Sequence, residues 1–106
     1  MGFSTHNPFL DKELKTYQYD SNEIIQDKLF QLQNVQKKWQ KLNPETRAER
    51  LRILAGRIEV HQEDLAKQAS LEMGKPIRQA RAEVEKSVLA LRTLADFAPL
   101  ALRTRE

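Results

Sequence analysis

The sequence predicts a mainly α-helical chain of four or five helices, with a small β-hairpin at its N-terminus. Three observations support this fold class. The 106 residues include only three glycines and four prolines, and residues that favour helix are abundant. Apolar residues recur every three or four positions from residue 25 onward. Capping and helix-breaking residues stand where these periodic stretches begin and end.

Residues 1–20 are predicted to form a hairpin or extended arm. Tyr17 and Tyr19 are two positions apart, which is the side-chain period of one strand face. The polar run Asp11-Lys12-Glu13 is typical of a turn, so we expect the tyrosine strand to pair with residues 3–7. Because an isolated two-stranded hairpin is marginally stable in water, it needs another element to pack on.

The first helix is expected to begin near Asp20 or Ser21 and to end near Lys41. Asp20 and Glu23 have the spacing of a capping box, in which both side chains satisfy free backbone N–H groups. One apolar stripe runs along the helix, and we expect it, together with Phe30, to lie in the core. The stripe consists of Ile25, Leu29, Leu32, Val35, Trp39 and Leu42.

A second helix is predicted to start at Asn43-Pro44. Asparagine is a good N-cap, and proline suits the first helical position because the N–H that it lacks is unpaired there in any case. The helix has an apolar face made of Ala48, Leu51, Leu54, Ala55 and Ile58. The apolar period drifts near Val60-His61-Gln62, which predicts a break, and a further short helix then carries Leu65, Ala66, Ala69 and Met73.

Gly74 is predicted to end that helix in the left-handed conformation, and Pro76 to start a long final helix. This last helix should stop before Pro99, because proline lacks the N–H that continues the helical ladder. Its apolar face consists of Ile77, Ala80, Val84, Val88, Leu91, Leu94, Ala95 and Ala98. Glu63–Lys67 and Arg81–Glu85 have the spacing of ion pairs within one helix.

Composition excludes several classes of protein. There is no cysteine, so disulfides, thiolate metal sites and cysteine nucleophiles are absent. No apolar run approaches the roughly 20 residues that span a bilayer, and the N-terminus does not have the pattern of a signal peptide. Met1-Gly2 resembles the start of a myristoylation site, but His6 stands where that motif requires Ser or Thr. We therefore expect a cytoplasmic protein without membrane contact.

Residue types that could carry chemistry occur without the surroundings that the chemistry requires. Ser4, Ser21, Ser70 or Ser87 could pair with His6 or His61 as nucleophile and base, but no nucleophile elbow surrounds any of them. Gly74-Lys75 lacks the other residues of a phosphate loop, since Ala69 and Pro76 stand where glycine and Ser or Thr are needed. We predict structural roles for these residues.

Two acidic clusters are also predicted to be solvated surface. His61, Glu63 and Asp64 offer only one histidine, whereas zinc usually takes three or four ligands of the Cys, His or carboxylate type. Glu45 and Glu49 share one helix face, with arginines around them and no pocket implied. The sequence therefore predicts no catalytic, cofactor-binding or metal-binding residue.

A basic stretch of the sequence suggests a second possible function, the binding of a protein or a nucleic acid. Residues 37–57 carry seven basic residues against two acidic ones, and two helices that meet at Leu42-Asn43 resemble a helix-turn-helix in outline. The seven are Lys37, Lys38, Lys41, Arg47, Arg50, Arg52 and Arg57. No aromatic stacking platform accompanies them, and the net charge of the chain is only +3. A stand-alone module for binding protein or nucleic acid is therefore the second hypothesis, with nucleic acid the less favoured partner.

Three sequence blocks resemble the N-terminal segment of NAD(P)-dependent aldehyde dehydrogenases. The first is Asn7-Pro8 followed by a turn and a tyrosine strand, and the second is Trp39 followed by residues 44–51. The third and strongest is Glu72-Met73-Gly74-Lys75-Pro76-Ile77 with Ala80 and Ala82-Glu83-Val84 downstream, and the run 72–86 is similar to the succinate-semialdehyde dehydrogenase branch.

The resemblance implies that this helical segment belongs to the cofactor-binding domain of a larger α/β enzyme. The family's cysteine nucleophile, glutamate base and glycine turn for the cofactor follow that segment and have no counterpart here. NAD or NADP is therefore implied for the complete enzyme, and we expect the 106-residue chain alone to bind neither and to be inactive. Its expected partner is the rest of the parent enzyme, or a second copy through apolar helix faces. We divide the chain into residues 1–20 (arm), 21–99 (helical segment) and 100–106 (tail).

Overall fold

The computed structural model describes residues 1–103, which form a two-stranded hairpin followed by four helices. The strands are β1 (Gly2–Asn7) and β2 (Lys12–Gln18). The helices are α1 (Asn22–Trp39), α2 (Pro44–Val60), α3 (Gln62–Met73) and α4 (Ile77–Ala101). The mainly helical fold class with an N-terminal hairpin is confirmed.

The hairpin is antiparallel and is stabilised by aromatic contacts and by its turn. Gly2 pairs with Gln18 at its open end, and the register shifts between Thr5 and His6. The rings of Phe3 and Tyr17 stack with centroids 5.3 Å apart. In the turn, the Asn7 Oδ1 atom accepts hydrogen bonds from the backbone N–H groups of residues 9 and 10, which satisfies this buried side chain.

The N-termini of α1 and α2 are capped by side chains, as the sequence predicted, but the cap of α1 is a different residue. The Asn43 Oδ1 atom accepts from the Thr46 N–H at 2.8 Å. At α1 the cap is Ser21, whose Oγ atom accepts from the Ile24 N–H at 3.3 Å. Asp20 instead forms an ion pair with Lys28, so the capping box that we expected from Asp20 and Glu23 is wrong.

The break between α2 and α3 falls at His61, and Gly74 ends α3 in the left-handed region with φ of 66°. Both observations confirm the sequence predictions. A Cβ atom at position 74 would lie 2.8 Å from the Cγ atom of Pro8, so the glycine also lets the hairpin turn approach the end of α3. This contact gives the hairpin the support that two isolated strands lack.

The final helix does not stop before Pro99 but continues to Ala101, with the proline inside it. Proline leaves the carbonyl of Ala95, four residues earlier, without its helical N–H donor. The Arg52 guanidinium from α2 lies 3.5 Å from that carbonyl oxygen and 2.8 Å from a carboxylate oxygen of Asp96. The expected stop was wrong because a side chain of another helix satisfies the carbonyl group that Pro99 leaves free.

The core is thin and consists mainly of small residues. Helices α2 and α3 pack on α4, and β1 packs on α3. The buried apolar residues are Ala48, Ala55, Ala66, Ala80, Val88 and Ala95. Small side chains allow helix axes to approach closely, but they remove little apolar surface from water. This part of the chain therefore relies mainly on close backbone packing, and the exposed ion pairs between helices add only a small contribution.

Among residues 1–103, three ion pairs link one helix to another, and Glu49–Arg52 lies within α2. The Arg81 guanidinium donates to both carboxylate oxygens of Glu63, at 2.9 and 2.7 Å, and links α4 to α3. Glu85 accepts from the Gln62 side chain at 3.2 Å. The spacings Glu63–Lys67 and Arg81–Glu85 correctly indicated helix. Neither forms a close ion pair among the described residues, because Glu63 and Arg81 pair with each other once α3 packs on α4.

The described part of the chain is more extended than a compact domain. The Cα radius of gyration is 18.4 Å, whereas a compact chain of this length has one of about 13 Å. The accessible surface is 8996 Å², against about 6,100 Å² expected for a folded monomer of this mass. Among the residues described, no helix is long and apolar enough to cross a membrane. Roughly 2,900 Å² of additional surface is thus exposed, and much of it lies on α1 and α4.

Candidate functional site

The outer face of α4 is an apolar surface with no partner among the described residues. It consists of Leu89, Leu94, Phe97 and Leu100, whose exposed fractions lie between 56 and 65%. The opposite side of the same helix buries Ala80, Val88 and Ala95 against α2 and α3. A helix that is apolar on both sides is typical of an internal layer, so the outer face of α4 is suited to covering by a further layer.

The predicted stripe of α1 forms a second exposed apolar surface. We use the term α1 stripe for Ile25, Leu29, Leu32 and Val35, which are 42 to 65% exposed. No residue of α1 is buried. The prediction that this stripe lies in the core was wrong, and so was that for Phe30, which is 63% exposed. The periodicity was identified correctly, but no other element of the described chain covers the stripe.

Trp39 is the half-buried end of α1 and lies in a cleft between α2 and α4. The cleft has a volume of about 200 Å³. It is lined by Trp39, Pro44, Arg47, Ala48, Leu51, Ala98 and Leu102. This volume is below the roughly 300 Å³ at which ligand pockets begin. The Arg47 Nε atom is buried there, with no hydrogen-bond partner among residues 1–103. The cleft is best described as a packing groove that anchors α1 to the body of the molecule.

All four candidate serines have local structural contacts. Ser21 caps α1, and the Ser4 hydroxyl lies 3.2 Å from that of Thr16 across the hairpin. Ser70 donates to the Lys75 carbonyl at 2.7 Å, and the Ser87 hydroxyl donates to the carbonyl four residues earlier on α4 at 2.9 Å. In residues 1–103 no serine is hydrogen-bonded to His6 or His61, so the structure brings no Ser–His couple together.

The other candidates are also accounted for by the fold. Lys75, next to the left-handed Gly74, forms an ion pair with Glu83 on α4 and does not face a phosphate loop. His61 lies at the junction of α2 and α3, and Glu63 is occupied by Arg81. Within the described residues no group of three metal-ligating side chains occurs. Glu45 lies in the first turn of α2, and Glu49 lies 3.3 Å from Arg52.

The fold places the basic residues of the stretch 37–57 in different surroundings. Arg52 is engaged by Glu49 and Asp96, and Arg47 lines the cleft below Trp39. The remaining basic residues of the stretch, Lys37, Lys38, Lys41, Arg50 and Arg57, are exposed on α1, its following turn and α2. Trp39 is half-buried and offers no open face for stacking. The arrangement therefore provides scattered positive charge and no groove built for a base.

Two of the ion pairs between helices lower the pKa of the carboxyl group that takes part in them. Hydrogen bonds from the Arg92 guanidinium, reinforced by its charge, lower the pKa of Glu59 below its ordinary value. Hydrogen bonds from Arg81 lower the pKa of Glu63 in the same way. Both pairs are exposed, and a lowered pKa keeps each carboxyl ionised instead of preparing it for proton transfer. They are therefore structural bridges from α2 and α3 to α4.

The described residues do not fit a nicotinamide dinucleotide. The pyrophosphate of such a cofactor is usually held by a glycine-rich turn at the N-terminus of a helix. The four helices of residues 1–103 begin after Ser21, Asn43, His61 and Pro76. The one glycine near these described starts is Gly74, a single residue that ends α3 and packs against Pro8, so it does not form a glycine-rich turn. No catalytic step through the cofactor can therefore be derived for this part of the chain.

Sequence reasoning missed the outer face of α4. The sequence pattern placed Leu94 in the same stripe as Ala80, Val88 and Ala95, but Leu94 is 56% exposed and lies on the outer face, so that placement was wrong. The other three residues of the outer face were not singled out, although Leu89, Phe97 and Leu100 recur at intervals of eight and three. This second periodicity was available as a signal. A helix with two apolar faces and few charges between residues 87 and 102 is an indicator of burial on both sides.

Taken together, the fold is a layer of helices with a supporting hairpin and two uncovered apolar faces. The sequence model of the aldehyde dehydrogenase family matches residues 1–105. The chain belongs to the aldehyde dehydrogenase family. This result confirms the resemblance to the family's N-terminal segment that the three sequence blocks indicated.

Two relatives support the assignment. The chain is 32% identical over 97 residues to a succinate semialdehyde dehydrogenase [NAD(P)+], Sad, of Escherichia coli K12, covering 92% of this chain and 21% of the relative. It is similar, with a TM-score of 0.79 and 28% identity, to the glyceraldehyde-3-phosphate dehydrogenase GapN of Methanocaldococcus jannaschii, solved with NADP. That match covers 89% of this chain and 21% of GapN. The chain thus spans about a fifth of the length of each.

Proposed function

We propose that this chain supplies the outer helical layer of the cofactor-binding domain in an aldehyde dehydrogenase. The observation that carries the proposal is the outer face of α4, which is apolar and uncovered while the opposite side of the helix is packed. Burial of a large apolar side chain contributes about 1.5–3 kcal/mol, so covering Leu89, Leu94, Phe97 and Leu100 stabilises a docked layer substantially. Its partner is the remainder of the enzyme.

The activity that we propose for the complete enzyme is oxidation of a small aldehyde to the carboxylic acid with NAD or NADP. Both relatives act on small aldehydes by name, and both names or titles include a nicotinamide cofactor. Succinate semialdehyde is the substrate that we favour, because the chain is 32% identical to Sad and 28% identical to GapN. We propose a cytoplasmic location, with which a chain that cannot form disulfides is compatible.

A complementation experiment tests the role of the helical layer. E. coli Sad shortened by the part that matches this chain is co-expressed with the 106-residue chain, and reduction of NAD and NADP by succinate semialdehyde is followed. We expect the two pieces to copurify and to restore turnover. The shortened Sad assayed alone should show no turnover, since it lacks the helical layer. The chain assayed alone should also show no turnover, since it has no cysteine to attack the aldehyde.

Matched substitutions locate the docking surface. Leu89→Lys together with Phe97→Lys places charges on the outer face of α4 and should abolish copurification. Val60→Lys changes a residue that is 80% exposed at the end of α2, and this variant should still copurify with the shortened Sad. Complementation that survives the α4 double variant would contradict the proposed surface. Turnover by the purified chain alone would contradict its assignment as a structural layer.

A further inference from the structure

We propose that Arg52 of α2 is a positioning residue that holds the last turn of α4 in helical conformation across Pro99, and so keeps Leu100 on the outer face of α4. The use of that face as a docking surface rests on the proposed function, whereas the conformation of the turn can be measured in this chain alone. Pro99 lies inside α4, which continues to Ala101. The end of α4 therefore depends on a residue of another helix.

Local backbone preference opposes a helix at this point. Proline lacks the N–H group that would donate to the Ala95 carbonyl, and its ring crowds that carbonyl group. Proline also disfavours helical angles at the residue before it, which is Ala98. The preference of this segment alone is therefore to end the helix at or before Ala98, and an interaction from outside the segment has to extend it to Ala101.

Arg52 provides that interaction with both of its terminal nitrogens. The Nη2 atom lies 2.8 Å from a carboxylate oxygen of Asp96 and 3.5 Å from the Ala95 carbonyl oxygen. The Nη1 atom lies 3.3 Å from a carboxylate oxygen of Glu49 on α2. The shortest of these contacts, with Asp96, holds the guanidinium beside the free carbonyl, and Glu49 steadies it from its own helix. A donor from α2 thus stands where the backbone of α4 has none.

One end of the outer face of α4 depends on this turn. Phe97 and Leu100 are three positions apart, so their side chains are neighbours only while the helix continues between them. Both are exposed on that face, at 63 and 61%. Leu89 and Leu94 precede the proline and keep their places without it. Uncoiling of the last turn would therefore remove Leu100 from the face and leave the other three residues in place.

Arg92 offers an internal comparison, because it joins the same two helices further from the proline. It donates to both carboxylate oxygens of Glu59 on α2, at 3.2 and 2.7 Å. The side chains of Arg92 and Arg52 are exposed to similar extents, 47 and 40%. Loss of either arginine should weaken the contact between α2 and α4, but the loss of Arg52 alone should uncoil the last turn.

The Cα chemical shifts of residues 96–101, measured by NMR in the 106-residue chain, test this role. They should be helical in the wild-type chain. Arg52→Met keeps an apolar stem and removes the donors. It should lower the ratio of helical to uncoiled last turn roughly tenfold, which is the usual effect of losing a hydrogen bond to a charged group. The shifts of residues 80–94 should stay helical.

A second substitution shows whether the proline is the reason that Arg52 is needed. Pro99→Ala restores the missing N–H group, so the Arg52→Met, Pro99→Ala double variant should recover the helical shifts of residues 96–101. Arg92→Met is the matched control and should leave the last turn helical. If Arg52→Met unfolds residues 80–94 as well, the double variant still decides, because it should regain the last turn.

Three results would overturn the proposal. One is a last turn that stays helical in Arg52→Met, and another is a double variant in which Pro99→Ala restores nothing. The third is an Arg92→Met variant that uncoils the turn to the same extent, which would show that any loosening of the contact between α2 and α4 has this effect.

Copurification with the shortened Sad separates this inference from the proposed function. Arg52→Met should copurify less than the wild-type chain, and added Pro99→Ala should restore the yield. Equal copurification of Arg52→Met and wild type would overturn the positioning role at the docking face. If the wild-type chain itself does not copurify, the proposed function fails, while the NMR shifts still decide whether Arg52 holds the last turn of α4.

Discussion

Two glycines of this chain have opposite structural requirements. Gly74 has a φ of 66°, and a Cβ atom there would also meet the Pro8 ring. Gly56 lies inside α2, where an added Cβ atom finds nothing within 4 Å. The sequence predicted the left-handed turn at Gly74, because the residue stands at the end of one apolar period and just before Pro76. It contained no signal for the contact with Pro8.

Gly74→Val is expected to destabilise the chain, and Gly56→Ala to stabilise it. The left-handed conformation costs a residue with a side chain roughly 1–2 kcal/mol, and the contact with Pro8 adds to this. Alanine inside a helix is better than glycine by about 0.5–1 kcal/mol. Urea unfolding followed by circular dichroism measures both effects. Equal stabilities of the two variants would show that position 74 tolerates a Cβ atom.

The ion pairs that link the helices should make stability depend on pH in the acid range. Arg92 and Arg81 lower the pKa values of Glu59 and Glu63 in the folded chain relative to the unfolded chain. The stabilisation is therefore complete above the unfolded pKa and is lost as the pH falls through the lower folded values. The melting temperature should exceed that of a Glu59→Gln, Glu63→Gln double variant at neutral pH. The difference should shrink in acid, and a difference independent of pH would contradict the assignment.

At the scale of the elements, α4 organises the fold. It receives α2 and α3 on one side through alanines and one valine, and Arg52 of α2 compensates for the proline near its end. Close contact of this kind depends on small side chains, because a larger one forces the helices apart. The same helix leaves its outer face uncovered. One set of apolar residues on α4 is therefore packed against α2 and α3, and a second set, on another side of the same helix, is exposed.

Ala95→Leu should destabilise the chain by about 1–3 kcal/mol, which is the usual cost of overpacking. Ala95 is fully buried where α4 meets α2. Ala90→Leu on the same helix is the control, since Ala90 is exposed and leucine is only slightly less favourable than alanine in a helix. Thermal unfolding compares the two. A similar melting temperature for both variants would show that the α2–α4 contact is looser than the structure indicates.

At the scale of the whole molecule, charge is the remaining candidate for a separate function. Exposed basic residues of the stretch 37–57 can attract nucleic acid by counterion release, but Arg52 is held by carboxylates. We expect weak binding of DNA and RNA, without sequence preference, that falls steeply as salt rises. Fluorescence anisotropy near physiological salt measures it. Submicromolar affinity with a clear sequence preference would instead support the stand-alone binding module.

The sequence by itself determined the helices, the hairpin, the caps at Asn43 and Gly74, and the family. These features depend on local physical chemistry and on motif order. Apolar period, cap chemistry and the conformational freedom of glycine act over a few residues and can be identified from the chain alone. The absence of a cysteine nucleophile was equally plain from composition.

Only the tertiary structure decided which apolar faces are buried and which charges pair. The stripes of α1 and α4 have the same kind of period, yet the inward stripe of α4 includes buried residues and the α1 stripe is exposed. Glu63 pairs with Arg81 on the neighbouring helix, and α4 continues past Pro99 because Arg52 reaches the Ala95 carbonyl. These outcomes depend on residues far apart in sequence, since a periodic pattern shows that a face is apolar but does not identify what covers it.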